Sequence, residues 1–230
     1  MDSESLTLRP FRVSDVDDLI LWAGDEQVTR TIRWKTITSK EEALTFIKEV
    51  CIPHPFCRSI CIDDRSIGFV YVIRGSGADR HKADMGYGVA AKYWGQGIAT
   101  KNVKMVISEV FKDFPDLVRL QAVAVVENIA SQRVLEKAGF TREALLRKHS
   151  FLKGQLKDLV IYSLLSTDSN GAVDDEENMK QPRFYKKHIP GYVVHLLIRS
   201  KLSFSSKRIG CYWLTMFENS MNYAKRCQAR

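Results

Sequence analysis

In the first fifty residues the apolar positions change period. Leu6, Leu8 and Phe11 lie in a half-apolar run over 5–11, which predicts an extended segment. Val16, Leu19, Ile20 and Ala23 then recur at i, i+3, i+4 and i+7, one face of a helix, with Ser14 as its N-cap and Asp17 as the capping-box partner. Thr38 and Glu41 repeat that start signal, and Ala43, Phe46, Ile47 and Val50 repeat the face. Between the two helices lies Arg30-Thr31-Ile32-Arg33-Trp34, basic and aromatic. Strand-like runs follow at 59–62 and 67–73, split by the turn-forming pair Asp63-Asp64, and Gly75-Ser76-Gly77 marks another turn. A third run, 84–90, enters Lys92-Tyr93-Trp94-Gly95-Gln96-Gly97 directly. Val103, Val106, Ile107 and Val110 mark the helix beyond it, which Pro115 ends. Residues 118–126 are strongly β-prone. Asn128 caps a short helix that stops at Gly139, and 140–151 and 157–165 read as two closing strands joined around Gly154. The order is strand, two helices, strands, helix, strand, helix, strands: a mixed α/β domain with one main sheet.

Composition changes this picture only beyond residue 165. The formal net charge is +8. Residues 180–230 hold 11 Lys/Arg and one acid, Glu218, which leaves 24 basic and 26 acidic residues in 1–179, or +10 against −2. The body is nearly neutral and asks for no polyanionic partner. Residues 166–178 are polar and acidic and read as a linker. The five cysteines, Cys51, Cys57, Cys61, Cys211 and Cys227, form no C-x-x-C pair and suggest packing thiols rather than a disulfide framework or a zinc site. The acidic start, Met-Asp-Ser-Glu-Ser, has no apolar core behind it and is not expected to be a secretory signal. The apolar stretch 192–198 is far shorter than the roughly 20 residues a membrane span requires. A cytoplasmic location is expected, with the nucleus open as well.

The most informative chemistry lies in the strand–turn–helix of residues 87–101. Gly95 and Gly97 let the backbone turn tightly and approach a ligand closely. The first N–H groups of the new helix have no internal partners, and together with the helix dipole they suit a pyrophosphate. A plain tight turn would look the same. A dinucleotide fold would place glycine where Thr100 stands, and a nucleotide P-loop would require Gly-Lys-Ser/Thr, which is absent.

The segment Ala83-Asp84-Met85-Gly86-Tyr87 leading to Tyr93-Trp94-Gly95-Gln96-Gly97-Ile98-Ala99-Thr100 resembles the acetyl-CoA site of GNAT acetyltransferases. Their signature Arg/Gln-x-x-Gly-x-Gly/Ala falls on residues 94–99, with Trp94 departing at the first place. Asn128-Ile129-Ala130-Ser131 and then Glu136-Lys137-Ala138-Gly139-Phe140 are similar to N-x-x-S and E-K-x-G-F of the branch that acetylates ribosomal-protein N-termini. The resemblance covers residues 1–167, with 168–179 as linker and 180–230 as a basic tail. It implies the GNAT acyl-CoA N-acyltransferase fold, an α/β (α+β) arrangement with a mixed, mostly antiparallel central sheet flanked by helices. It also implies direct transfer of acetyl from acetyl-CoA, as cosubstrate and without a metal, to a primary amine. The acceptor is expected to be a protein N-terminal α-amine, with a polyamine or other small amine as the alternative.

The same resemblance implies the site. Val89, Trp94, Gly95, Gln96, Gly97, Ile98, Ala99, Thr100 and Asn128 would hold the cosubstrate, and an N–H around Val89 would face the thioester oxygen. Ser131 matches the acid that protonates the leaving thiolate; the tyrosine that many relatives use falls on Leu135. Carboxylates that relatives use as base fall on Val123 and Ser150, so Asp84 and His149 stand as the candidate bases. Arg33 and Trp34 are the candidates for the acceptor. An α-amine, with a pKa of about 7.7–8.0, is roughly a tenth neutral at pH 7, whereas a lysine is almost wholly charged, so weak base machinery favours N-termini. From a different class stands a catalytically weak domain whose tail, mixing Lys/Arg with Phe184, Tyr185, Tyr192, Phe204, Tyr212, Trp213, Phe217 and Tyr223, contacts RNA or the ribosome.

Overall fold

The computed structural model describes residues 6–169. Residues 166–169, expected to open the acidic linker, form a short helix instead, Ser166–Ser169; the rest of the linker and the whole basic tail lie outside the described residues. Seven strands form one sheet in the order β1-β2-β3-β4-β5-β7-β6. They are β1 (Leu6–Pro10), β2 (Cys57–Ile62), β3 (Arg65–Arg74), β4 (Lys82–Val89), β5 (Arg119–Val125), β6 (Thr141–Leu152) and β7 (Gln155–Leu165). Every neighbouring pair is antiparallel except β4 and β5, which are parallel and need the crossover helix α4 (Ile98–Asp113) between them. The expected mixed, mostly antiparallel sheet is what forms.

Alternation along the strands sorts side chains to two faces. Val70, Val72, Met85, Leu120, Val160 and Tyr162 turn to one face and bury the apolar stripe of α4 (Val103, Val106, Val110) and Leu135 of α5 (Ile129–Lys137). Phe69 lies on the other face, under α1 (Val16–Ala23) and α3 (Lys40–Phe46), among Leu19, Trp22, Phe46 and Ile47, and α2 (Glu26–Thr29) packs against α1. Trp22, outside the expected helix face, is almost fully buried and stacks on Phe69 at 5.5 Å. On this face β4 carries Gly86 and Gly88 because the rings of Tyr71 and Phe69 lie across it. A Cβ at Gly86 would come 2.5 Å from the Tyr71 ring, and one at Gly88 would come 2.6 Å from Phe69.

Two helix starts differ from expectation by local hydrogen bonding. The first helix is entered through a 3-10 turn, Val13–Asp15, and Asp15 rather than Asp17 takes the Arg12 N–H, at 2.8 Å. The Asp15 carboxylate is drawn there because it also binds Arg9 at two oxygens, 2.7 and 2.8 Å. The cap of α3 is Ser39, whose hydroxyl accepts from the Glu42 N–H at 3.1 Å, while Glu42 answers at the Thr38 N–H at 2.9 Å. The cap and its acidic partner therefore stand one residue later than Thr38 and Glu41, with Glu42 reaching the residue before the cap. Cys51, Cys57 and Cys61 are free and buried, as packing thiols. Among the described residues no helix is long and apolar enough to cross a membrane.

Candidate functional site

The parallel pairing of β4 and β5 runs from Lys82–Arg119 to Met85–Ala122 and stops there. β4 continues to Val89 along β3, and β5 continues to Val125 along β7, so the two strands part in the middle of the sheet. Ala90 donates to Ile67 O at 2.8 Å. By the alternation of an antiparallel ladder, Tyr87 and Val89 then turn their own N–H and C=O groups towards the gap. The Val89 carbonyl is taken by the Trp94 indole N–H at 2.7 Å, which pins the following loop to the end of β4. The N–H of Val89 faces the gap as the strand's outermost donor. An extended chain of amides laid there would find a strand edge to pair with.

At the mouth of the gap Gly95 and Gly97 have φ of +76° and +77°, the left-handed region that favours glycine, and a Cβ at either would enter open space. Gly97 is the N-cap of α4 and offers no side chain to the first turn. The first return bond is Lys101 N–H to Gly97 O at 3.0 Å, so the N–H groups of Ile98, Ala99 and Thr100 remain for an outside acceptor. No acid occupies that turn. The arrangement fits a doubly charged pyrophosphate.

Both faces of the gap carry chemistry. On the α5 side, Ser131 lies in the first turn of α5, where its N–H is capped by Asn128 Oδ1 at 3.1 Å. The Tyr87 hydroxyl reaches across to it, 2.9 Å from Ser131 Oγ and 3.1 Å from Ser131 O. Burial holds the Tyr87 hydroxyl well above the usual phenol range, so it stays protonated. Tyr87 was not among the sequence candidates. The signal was an aromatic residue between two glycines, which reads equally as packing.

On the opposite face of β4, Asp84 Oδ1 accepts from Gln121 Nε2 at 2.5 Å. Gln121 Oε1 in turn accepts from Arg119 Nε at 3.2 Å. A guanidinium cannot accept, so the amide must aim its NH2 at Asp84. Arg119 continues to Glu143 at 2.8 and 2.5 Å, and together with Ser163 it pulls the Glu143 carboxyl down to about 2. Tyr71, beside Asp84, is pushed up to about 12 by burial and then by the Asp84 charge, while Arg33 opposes.

The 30–35 connection closes this face. Trp34 packs edge-on against Phe46 at 5.2 Å and against Phe69 at 4.5 Å. Thr31 Oγ1 accepts from Asn128 Nδ2 at 3.3 Å, and Trp34 O accepts from Lys153 Nζ, in the β6–β7 turn, at 2.6 Å. The gap is thus bordered by Tyr87, Val89, the turn 94–100, Asn128 and Ser131; Asp84 lies within the paired stretch of β4, opposite Gln121, and Trp34 packs on the face of the sheet that carries Phe69, with Arg33 exposed beside it. His149 is exposed on β6, the outermost strand, and forms no hydrogen bond with the residues bordering the gap. Leu135 is buried in the core. Among the described residues no group of three or more His, Cys, Asp or Glu side chains could hold a metal.

Residues 5–141 match the acetyltransferase (GNAT) domain family. The uncharacterized N-acetyltransferase p20 of Bacillus licheniformis is 28% identical over 178 residues, covering 74% of this chain and 97% of that protein. Among solved structures, RimL, the ribosomal L7/L12 alpha-N-protein acetyltransferase in complex with coenzyme A, superposes with a TM-score of 0.63 at 21% identity, over 73% of this chain and 97% of that one. Spermidine N-acetyltransferase from Vibrio cholerae, in complex with CoA and spermine, gives 0.61 at 19%, over 74% and 99%. With a family match across more than half of its length and a gap of this geometry at its centre, the chain belongs to the GNAT acetyltransferase family and is an acetyl-CoA-dependent N-acetyltransferase.

Proposed function

We propose that the acceptor is a protein N-terminal α-amine. It would enter from the Arg33–Trp34 side, with the thiol leaving towards α5. The observation that supports this is that the Asp84 carboxylate and the Tyr87–Ser131 pair stand on opposite faces of β4, Asp84 just before the strands part and Tyr87 just beyond. Acetyl-CoA, when bound, supplies an activated acetyl thioester. Gly95, Gln96, Gly97, Ile98, Ala99 and Thr100 cradle its pyrophosphate, and Trp94 holds that loop against Val89. The Tyr87–Val89 edge pairs with its amide arm. The Val89 N–H donates to an oxygen that gains charge. Asn128 sets the start of α5, and with it Ser131.

Asp84, aimed by Gln121, receives the proton of the incoming amine. Ser131 delivers a proton to the sulfur and is replenished through the Tyr87 hydroxyl. One carboxylate with no second base suits an amine already partly neutral near pH 7, as an α-amine is. His149, on the outermost strand, takes no part. A polyamine acceptor is the second reading, favoured by the fold shared with the spermidine enzyme. The catalytic domain is placed at 1–167. Residues 168–179 and 180–230 lie outside it, with RNA or ribosome contact assigned to the tail.

The test is product identification by mass spectrometry with peptides, lysine side chains and polyamines, on the full chain and on a chain ending at 169. N-terminally acetylated peptide from both chains is expected, with Asp84→Asn lowering turnover about 10²-fold near neutral pH. Acetylated spermidine without acetylated peptide would replace this acceptor by the second reading. RNA binding lost on truncation, with no turnover of any amine, would leave a binding domain.

A further inference from the structure

We infer that Arg33, Lys35 and Lys153 form a cationic rim on the acceptor side of the gap, selecting acceptor chains with acidic residues close behind the reacting N-terminus. This rests on the N-terminal reading above.

Trp34 turns inward onto Phe46 and Phe69, while its neighbours Arg33 and Lys35 are exposed. Lys153 is brought to the same place from the far end of the sheet by the bond of its Nζ to Trp34 O at 2.6 Å. That bond uses one of three ammonium hydrogens and leaves two. The turn that presents Lys153 is costly for such a residue. Lys153 has φ +47° beside Gly154 at φ +79°, whereas the other tight hairpin, Asp63–Asp64, fills the same conformation with short polar side chains that tolerate it better.

Ten of the 24 Lys and Arg residues at 6–169 are matched with an acid. Arg9, Arg65, Arg74, Arg119, Lys40, Lys148 and Lys157 all form ion pairs. Arg33, Lys35 and Lys153 form none among the described residues. The nearby acids are committed elsewhere: Asp25 caps α2, Glu127 binds Lys157, Asp158 binds Lys148, and Asp84 faces Gln121. Glu26 alone offsets the rim. The Lys153 ammonium is lowered first by loss of water, against Glu26, and further by Lys35. Like charges held together at an exposed edge are relieved by an anionic ligand. The same rim repels a polycation.

The test compares kcat/KM of the full chain for peptide pairs that share an N-terminal residue but carry Asp/Glu or Asn/Gln at the next three positions. The acidic member should be favoured about tenfold, as a few screened contacts allow, and the preference should shrink as salt is raised. Lys35→Glu, at an exposed position, and Lys153→Glu should each lower that ratio, and together they should bring it to one or below. Spermidine should be a poor acceptor that improves in the double variant. A ratio of one in the parent, or a ratio unmoved by the double variant, would overturn the rim while leaving peptide acetylation in place. Turnover of spermidine with no peptide turnover would instead overturn the N-terminal reading itself, and the rim with it.

Discussion

Ser131 and Tyr87 show how one hydrogen bond changes the meaning of a residue. A serine in the first turn of a helix usually serves its own backbone. Here the cap is supplied by Asn128, whose Oδ1 takes the Ser131 N–H, and the Ser131 hydroxyl is left to pair with Tyr87. If Ser131 is the acid, Ser131→Ala should lower kcat about a hundredfold, the low end for such roles because the thiolate of CoA is a fair leaving group. Acetyl-CoA affinity should stay near the parent's. Tyr87→Phe keeps the ring in the core, removes the relay and should lower kcat by a smaller factor of about ten. Measured at matched folded fraction, a rate within about threefold of the parent for Ser131→Ala would remove it from the mechanism.

At the level of elements, the site is made by a strand that stops pairing and a helix that starts bare. Gly97 at the head of α4 combines both demands, a left-handed backbone and an unobstructed approach. The φ of +77° means that a side chain there also strains the fold, by roughly 1–2 kcal/mol. A comparison is therefore required. Gly77, at φ +59° in the turn before β4 and likewise facing open space, imposes the same kind of strain away from the gap. Gly97→Ala and Gly77→Ala should lower the melting temperature similarly, but only Gly97→Ala should weaken acetyl-CoA binding in calorimetry, by about tenfold or more. Equal affinities in the two would show that the turn holds no pyrophosphate.

Over the whole domain, several tyrosines are packed with their hydroxyls away from water. Tyr71 is raised from 10.0 to about 12 by burial and then by Asp84, and Tyr162 from 10.0 to about 12 by burial and then by Glu136. The folded state therefore holds these protons more tightly than the unfolded chain. Their contribution to stability is complete below pH about 10 and is lost as pH rises through about 12. The tyrosinate absorbance that belongs to Tyr71 and Tyr162 should rise together with unfolding in an alkaline titration rather than ahead of it. Tyr71→Phe and Tyr162→Phe should each make stability less steep in pH over that window. Ionisation of all tyrosines near pH 10 with the fold intact would contradict the buried network.

What the chain determined by itself was local. Apolar periodicity located the seven strands, α1, α3 and α4 but not the four-residue α2, the two glycines before Ile98 located the turn that opens α4, and Asn128 and Gly139 bounded α5, because each signal acts within a few residues. Helix starts were legible only to within a residue, since Ser14 against Asp15 and Thr38 against Ser39 are decided by which carboxylate Arg9 or the Thr38 N–H can reach. Only the tertiary structure decided that β4 and β5 part after Met85 and Ala122. Strand pairing joins segments more than thirty residues apart, and no local pattern encodes where it stops. Nor could spacing along the chain bring Tyr87 to Ser131, Gln121 to Asp84, or Lys153 to Trp34. The partners stand 44, 37 and 119 positions apart, and they meet through the packing of α5 on the sheet, the parallel pairing of β4 with β5, and the reach of the β6–β7 hairpin, respectively.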